Sequence, residues 1–135
     1  MLTSAAQFVR LRTSDDRNDY LRAAWDEAPL EVWLDVLNHY PDMAFWVAHN
    51  KSVPLPILEM LAKHPEERVR SMVASKNKLS PELQIQLAQD HECSVRRSIA
   101  YNKKAVLAAL QLLAEEADEE LKQHVRTRIA EGKHK

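Results

Sequence analysis

Glycine and cysteine are nearly absent from this chain: each occurs once, as Gly132 and Cys93, among 135 residues. A single glycine leaves few positions for the positive φ angles that tight hairpins and glycine-rich phosphate loops need. A single cysteine excludes an intramolecular disulfide and any cysteine-rich metal or iron–sulfur site. We therefore expect neither a hairpin-rich nor a disulfide-stabilised protein, and we expect no cofactor and no metal.

Long apolar runs are missing as well. No stretch approaches the roughly 18 apolar residues of a membrane span, and the first twelve residues lack the apolar core of a signal peptide. The hydrophobic share of 45% is that of an ordinary globular protein. We therefore expect a cytoplasmic protein with no membrane partner, which forms one domain over residues 1–135.

Motifs for catalysis are also absent. The chain has no GxSxG, P-loop or GxGxxG sequence, and its six histidines show no HExxH or other metal-ligand spacing. Cys93 has no histidine and acid that the sequence can place beside it as catalytic partners. We therefore predict that the protein is not an enzyme.

One pattern occurs three times in succession, in residues 47–72, 73–98 and 99–130. Each copy opens with Val/Ile-Ala and contains a Leu-Ala pair and a Val-Arg pair, and the period is 26, 26 and then 30 residues. The Leu-Ala pairs begin at Leu61, Leu87 and Leu113, and the Val-Arg pairs at Val69, Val95 and Val125. A period in this range is typical of a solenoid, in which units stack to bury their apolar faces.

Apolar residues recur at helical spacing, so each repeat is predicted to form two helices, A and B. Helix A is predicted over about 55–64, 80–89 and 104–116, and helix B over about 66–75, 92–101 and 118–131. The leucines above form the core of helix A, and small side chains allow close stacking at Ala48, Ala74, Ala100 and Ala130. The buried stripe of helix B is predicted to contain Val69/Val73, Val95/Ile99 and Val125/Ile129.

Aromatic residues are concentrated in residues 1–46, which precede the repeats and contain a degenerate copy of them. Seven of the eight lie there: Phe8, Tyr20, Trp25, Trp33, Tyr40, Phe45 and Trp46. They could form a binding surface, since Trp and Tyr are enriched at interface hot spots. We favour a bulky N-terminal cap with one or two rings partly exposed. Residues 131–135 are predicted to be a charged tail.

The string V-A-x-N…P-x-x-x-L-x-x-L-A-x-D…V-R-x-x-V-A resembles the leucine-rich-repeat variant family and the related short HEAT-like repeats, over about residues 47–130. This resemblance implies an all-α fold, a right-handed α-solenoid of helix pairs with an N-terminal helical cap. It also implies a protein that binds other proteins. One branch of HEAT-like proteins binds DNA as alkylation-repair glycosylases. Some variant-repeat proteins hold an iron–sulfur cluster on clustered cysteines, which this chain lacks.

Positive charge is concentrated in the repeats. Residues 47–104 hold ten Lys/Arg and six Asp/Glu, whereas residues 1–46 hold four and eight. Arg70, Arg96 and Arg126 follow the buried valines and either pair with an acid in the preceding turn, such as Asp90 for Arg96, or contact a ligand. Lysines follow helix B together with Asn50, Asn77 and Asn102, which we predict to be helix C-caps. These lysines either form a basic strip or offset the helix dipoles.

The predicted function is that of a non-enzymatic helical-repeat scaffold, which holds an acidic segment of a protein partner on its basic helix-B and edge surface. The candidate partner-binding residues are Lys51, Arg68, Arg70, Lys76, Lys78, Arg96, Arg97, Lys103 and Lys104. The alternative is nucleic-acid backbone binding by the same surface, as in DNA-binding HEAT-like proteins. Phosphate binding of that kind would weaken steeply as salt rises.

Overall fold

A computed structural model describes residues 1–134, which form ten α-helices and one short 3-10 helix with no β-strand among them. The predicted all-α class is confirmed. Lys135, the last residue of the predicted tail, lies outside the described residues. The chain divides into two compact units, Met1–Leu61 and Ala62–Lys135, called unit 1 and unit 2 below. The expected single domain stays a prediction, and each unit is described by itself.

Unit 1 contains five α-helices, of which the first two have side-chain N-caps. The helices are α1 (Ala5–Thr13), α2 (Arg17–Trp25), α3 (Leu30–His39), α4 (Ala44–His49) and α5 (Leu55–Leu61), with the 3-10 helix Pro41–Met43 before α4. Ser4 accepts a hydrogen bond from the Gln7 N–H, and Asp16 accepts one from the Asn18 N–H. Helix α1 packs against α2 and α3, and α5 packs against α3 and α4.

The core of unit 1 is partly aromatic. Phe8 and Trp33 are fully buried and meet edge to face, with ring centroids 5.3 Å apart. Tyr20 and Trp25, in contrast, are 38% and 60% exposed. Tyr40, Phe45 and Trp46 are half-buried, so more rings reach the surface than the one or two expected.

Unit 2 contains the five remaining helices, α6 (Glu67–Ala74), α7 (Pro81–Ala88), α8 (Cys93–Tyr101), α9 (Leu107–Leu113) and α10 (Glu119–Ala130). Their spans confirm the predicted order of helices A and B. Helix α9 begins three residues later than expected, because Asn102 holds the preceding loop. The side-chain oxygen of Asn102 accepts a hydrogen bond from the Lys104 N–H at 2.8 Å, and the backbone carbonyl of Asn102 accepts one from the Ala105 N–H at 3.1 Å.

Equivalent helices of successive repeats pack on one another within unit 2. Helix α8 lies between α6 and α10, and α7 packs on α9, while each helix A also contacts the helix B that follows it. Leu87, Leu113 and Val95 are buried as predicted. Ala130 was predicted to be a stacking residue but is exposed, because no further described helix covers that face of α10.

The described helices are short. The longest, α10, has 12 residues, and none of the helices in residues 1–134 combines the length and apolarity needed to cross a membrane.

Candidate binding surface of unit 2

Arg70 is almost completely buried, and most of its hydrogen-bond donors are used within unit 2. Its exposed fraction is 6%. Nη1 donates to the backbone carbonyls of His64 and Pro65, at 2.7 and 3.1 Å. Nε and Nη2 donate to the two carboxylate oxygens of Asp90, at 2.8 and 3.3 Å. Arg70 thus joins its own A–B turn to the A–B turn of the next repeat, which favours a structural role.

Arg96 repeats this arrangement one unit further along the chain. Its Nη1 donates to the backbone carbonyl of Asp90 at 2.9 Å, and its Nε and Nη2 donate to the Glu116 carboxylate at 3.0 and 2.8 Å. Arg126 donates to the Ala114 carbonyl at 2.9 Å. An arginine ladder therefore runs through unit 2. Its register differs from the predicted one, because the Asp90 carboxylate pairs with Arg70 and not with Arg96.

Burial and hydrogen bonding have opposing effects on the pKa values of the ladder residues. Burial raises the pKa of Asp90, but hydrogen bonds from Arg70 and from the Glu92 N–H, with the positive charge of Arg70, bring the pKa below its ordinary value. The hydrogen bond to Asp90 raises the pKa of Arg70, and that to Glu116 raises the pKa of Arg96. The pair of Arg70 and Asp90 is therefore fully charged at neutral pH.

A buried asparagine links the ends of two successive helices. Asn102 ends α8, and its Nδ2 donates to the carbonyl of Ala74, the last residue of α6, and to that of Lys76, both at 2.8 Å. The predicted C-cap at Asn102 is thus confirmed, and its reach to the preceding repeat is an additional finding. Asn50 ends α4 in the same way. The predicted cap at Asn77 is wrong: Ser75 caps α6, and Asn77 is exposed beyond it.

Arg128 links α10 to α8 as Asn102 links α8 to α6. Its Nη1 donates to the carbonyls of Ala100 and Asn102 at 2.7 and 2.9 Å, and its Nε donates to the Lys133 carbonyl at 3.0 Å. Burial lowers the pKa of Arg128. All the recorded partners of this guanidinium among residues 1–134 are neutral carbonyls, and none is a carboxylate.

Four lysines occupy two neighbouring loops, and we call them the basic edge: Lys76 and Lys78 after α6, and Lys103 and Lys104 after α8. The hydrogen bond from Asn102 to the Lys76 carbonyl places the loops side by side. Residues 75–80 and 102–107 contain no acidic residue. Lys78, Lys103 and Lys104 are exposed, and their ammonium groups have no hydrogen bond or ion pair with residues 1–134.

The helix ends do not use the ammonium groups of Lys78, Lys103 and Lys104, so these groups can bind a ligand. The carbonyls at the ends of α6 and α8 accept hydrogen bonds from Asn102 and Arg128. The ammonium groups of Lys78, Lys103 and Lys104 make no such bond within the described part of the chain. Their charges can still offset the helix dipoles at a distance, but their donors are available.

The other candidate residues lie outside the basic edge. Lys51 belongs to unit 1, where it is exposed. Arg68 lies 3.2 Å from Glu66, and Arg97 lies 3.4 Å from Glu120. These exposed ion pairs are of the weak kind that a partner can replace. The structure thus brings together four of the nine candidate residues and assigns Arg70 and Arg96 to the ladder.

Each unit also contains cavities that the sequence did not indicate. One in unit 1 has a volume of about 450 Å³ and is mainly apolar, with the Arg12 guanidinium 3.3 Å from the centre of the Trp46 ring. One in unit 2 has a volume of about 440 Å³ and is lined by Tyr101, Lys103, His124, Arg128, Gly132, Lys133 and His134. Sequence spacing gave no signal for either cavity, because each is built from separate segments.

Residues 1–134 contain no group of three or more His, Cys, Asp and Glu side chains arranged to hold a metal ion. Comparison of the chain with protein-family models, curated proteins and solved structures found no match. A function must therefore be argued from the surfaces and cavities described above.

Proposed function

We propose that the protein is a non-enzymatic helical-repeat scaffold that binds an acidic segment of a protein partner through the basic edge. The observation that carries the proposal is the placement of three unpaired, exposed lysines, Lys78, Lys103 and Lys104, on two adjacent loops without acidic residues. Complementary charge of this kind speeds association and selects among partners. We place the protein in the cytoplasm, as the sequence predicts.

The proposed architecture is a solenoid of the leucine-rich-repeat variant or HEAT-like kind. The stacking of α6 on α8, of α8 on α10 and of α7 on α9 supports this assignment. The ladder recurs from one repeat to the next, and the link that Asn102 makes between α8 and α6 has a counterpart in Arg128 between α10 and α8, as expected where each repeat contacts its neighbours. The right-handed sense rests on the resemblance of the repeats.

The ladder narrows the proposed binding surface. Arg70 and Arg96 direct their guanidinium groups to Asp90 and Glu116, so we assign them to stabilisation of the repeat stack. Binding then depends chiefly on the basic edge. Lys51, Arg68 and Arg97 have secondary roles in this proposal, because one lies in unit 1 and the others have acidic neighbours.

Nucleic-acid backbone binding by the same lysines is the alternative. The loops of the basic edge offer ammonium groups that suit phosphates, but Tyr101, which is 46% exposed, is the only Phe, Tyr or Trp of unit 2. Proteins that bind single strands ordinarily stack several bases on aromatic side chains. The scarcity of such rings favours the acidic protein segment.

Defined probes separate the two functions. We would titrate the full chain with a fluorescent oligoglutamate peptide and with a labelled DNA duplex, at low and at moderate salt. The double variant Lys78→Glu/Lys104→Glu should weaken peptide binding by about tenfold or more, since each lost charge-assisted contact is worth about 1.5–3 kcal/mol. Lys63→Glu is the control for one charge reversal, because Lys63 is exposed in the A–B turn, and it should change binding less than about twofold.

Three results would change this proposal. Binding of the duplex alone, with a steep loss as salt rises, would make backbone binding the better proposal. Equal effects of the double variant and of Lys63→Glu would show a non-specific charge effect. Absence of binding to both probes at low salt would contradict both functions.

A further inference from the structure

We propose that the unit 2 cavity lined by Arg128, called here the Arg128 cavity, binds a phosphate monoester group. It lies beside the end of α10, is open to solvent, and has a volume of about 440 Å³. Among residues 1–134, its lining contains two lysines, one arginine, two histidines and Tyr101, and no carboxylate side chain. This inference goes beyond the proposed function, with which it shares only Lys103.

Arg128 supplies a positive charge that no acid in residues 1–134 balances. Its Nε and Nη1 donate to backbone carbonyls, and its Nη2 has no recorded hydrogen-bond partner among the described residues. A partly buried guanidinium without a carboxylate is costly, since desolvation is not offset by an opposite charge. An oxyanion at Nη2 would supply that charge and accept two N–H groups.

Lys103 and Lys133 line the same cavity but differ in their partners. The Lys133 ammonium lies 2.8 Å from the Glu131 carboxylate, and both side chains are exposed. The Lys103 ammonium has no partner in residues 1–134. The unbalanced charge of the cavity therefore comes from Arg128 and Lys103, which together match the charge of about −1.5 to −2 on a phosphate monoester.

His124 contributes a buried nitrogen without a partner. Its Nε2 is inaccessible to solvent and makes no hydrogen bond with residues 1–134. The imidazole ring stacks on Tyr101 with centroids 3.8 Å apart and planes 10° from parallel, which holds its orientation. Because Nε2 is covered by protein, a ligand oxygen in this cavity does not reach it, and His124 contributes a stacked ring to the cavity wall.

The set of groups favours a phosphate over a carboxylate. Arg128 and Lys103 carry donors and no acceptors. A phosphate monoester offers three oxygens and nearly two charges, whereas a carboxylate offers two oxygens and one charge. The phosphate could belong to a small metabolite or to a phosphorylated side chain, since both present the same group.

Gly132 provides a direct reporter of binding, because it lines the cavity and is the only glycine in the chain. Untagged protein labelled with ¹⁵N-glycine should give a single amide resonance. We would titrate it with inorganic phosphate, with phenyl phosphate, and with a serine peptide in its phosphorylated and unphosphorylated forms. Chloride would be adjusted to hold the ionic strength constant. A saturable shift with the phosphates and not with the unphosphorylated peptide is the expected result.

The two variants Lys103→Gln and Lys78→Gln form a matched pair. Both remove one exposed lysine of the basic edge, but only Lys103 lines the cavity. Lys103→Gln should raise the dissociation constant for phosphate about tenfold, and Lys78→Gln should change it less than about twofold. Arg128→Lys should also weaken binding. Because Arg128 donates hydrogen bonds to Ala100 and Asn102, the circular dichroism spectrum of this variant must show that its helices are intact.

The titrations also identify the source of the phosphate. Tighter binding of the phosphopeptide than of phenyl phosphate would indicate a phosphorylated partner, and the reverse would indicate a small metabolite. The proposal would be overturned if the chemical shift of Gly132 did not saturate with phosphate. It would also be overturned if Lys103→Gln had the same dissociation constant for phosphate as the wild type. Neither result would bear on the oligoglutamate titration, because that experiment tests Lys78 and Lys104.

Discussion

Arg70 and Asp90 are 20 residues apart in the chain and form a two-point ion pair between successive repeats of unit 2. Nε lies 2.8 Å from one carboxylate oxygen and Nη2 lies 3.3 Å from the other. The side chains are only 7% and 9% exposed. Because the pair is buried and bidentate, each partner depends on the other for its charge compensation.

Loss of one partner of this pair should be costly. Asp90→Asn leaves the buried Arg70 guanidinium without its carboxylate, and we expect the free energy of unfolding to fall by about 3 kcal/mol. Urea unfolding followed by circular dichroism measures this change. Arg68→Gln is the control, because the pair of Arg68 and Glu66 is exposed and should contribute less than about 1 kcal/mol. Similar losses in the two variants would show that the buried pair has no special role.

The same pair predicts a dependence of stability on pH. Since the pKa of Asp90 is lower in the folded protein than its ordinary value of 3.8, the unfolded chain binds this proton more readily. The stabilisation is therefore complete above about pH 4 and is lost as the pH falls through the lowered, folded-state pKa.

Unfolding of the wild type and of Asp90→Asn over this pH range tests the prediction. The difference in unfolding free energy between the two proteins should be largest near neutral pH and should shrink in acid. A difference that stays constant down to the lowest pH would mean that another group, and not Asp90, is responsible for the acid sensitivity.

Helix spans and core positions followed from the sequence because they depend on local periodicity. The 26-residue period placed Leu87, Leu113 and Val95 on inward faces, and they are buried. Proline and serine marked the start of α7, where Ser80 accepts a hydrogen bond from the Leu83 N–H. Such features need only the neighbours in the chain.

The acidic partners of the ladder arginines could not be predicted from local periodicity. Asp90 is six residues before Arg96, and this proximity suggested an ion pair within one repeat. In the structure α6 packs on α8, which brings Arg70 to the Asp90 carboxylate and leaves Arg96 with the Asp90 carbonyl. The choice between the two arginines depends on the distance between helices, which the period does not specify. The Arg128 cavity was missed for the same reason.

Removal of a core leucine tests the repeat packing. Leu87 is 1% exposed, so Leu87→Ala should lower the free energy of unfolding by about 2–5 kcal/mol through lost burial and a residual cavity. Leu112→Ala serves as the control, because Leu112 is 46% exposed and its loss should cost less than about 0.5 kcal/mol. A cost below about 1 kcal/mol for Leu87→Ala would contradict the core position of this leucine.

The side-chain amide of Asn102 connects three backbone groups of two repeats. It is 5% exposed, donates to the carbonyls of Ala74 and Lys76, and accepts the Lys104 N–H. Asn102→Ala leaves these groups without partners in a mostly buried place, so we expect a loss of about 1–3 kcal/mol in unfolding free energy.

Hydrogen exchange should locate this effect. In Asn102→Ala the Lys104 amide should exchange faster than in the wild type, because its recorded hydrogen bond is to the Asn102 side chain. Asn77→Ala is the matched control, since Asn77 is exposed in the neighbouring loop and should leave both stability and exchange nearly unchanged. If the Lys104 amide kept its protection in Asn102→Ala, its N–H would have another acceptor. Asn102 would then stabilise the protein only through its hydrogen bonds to Ala74 and Lys76.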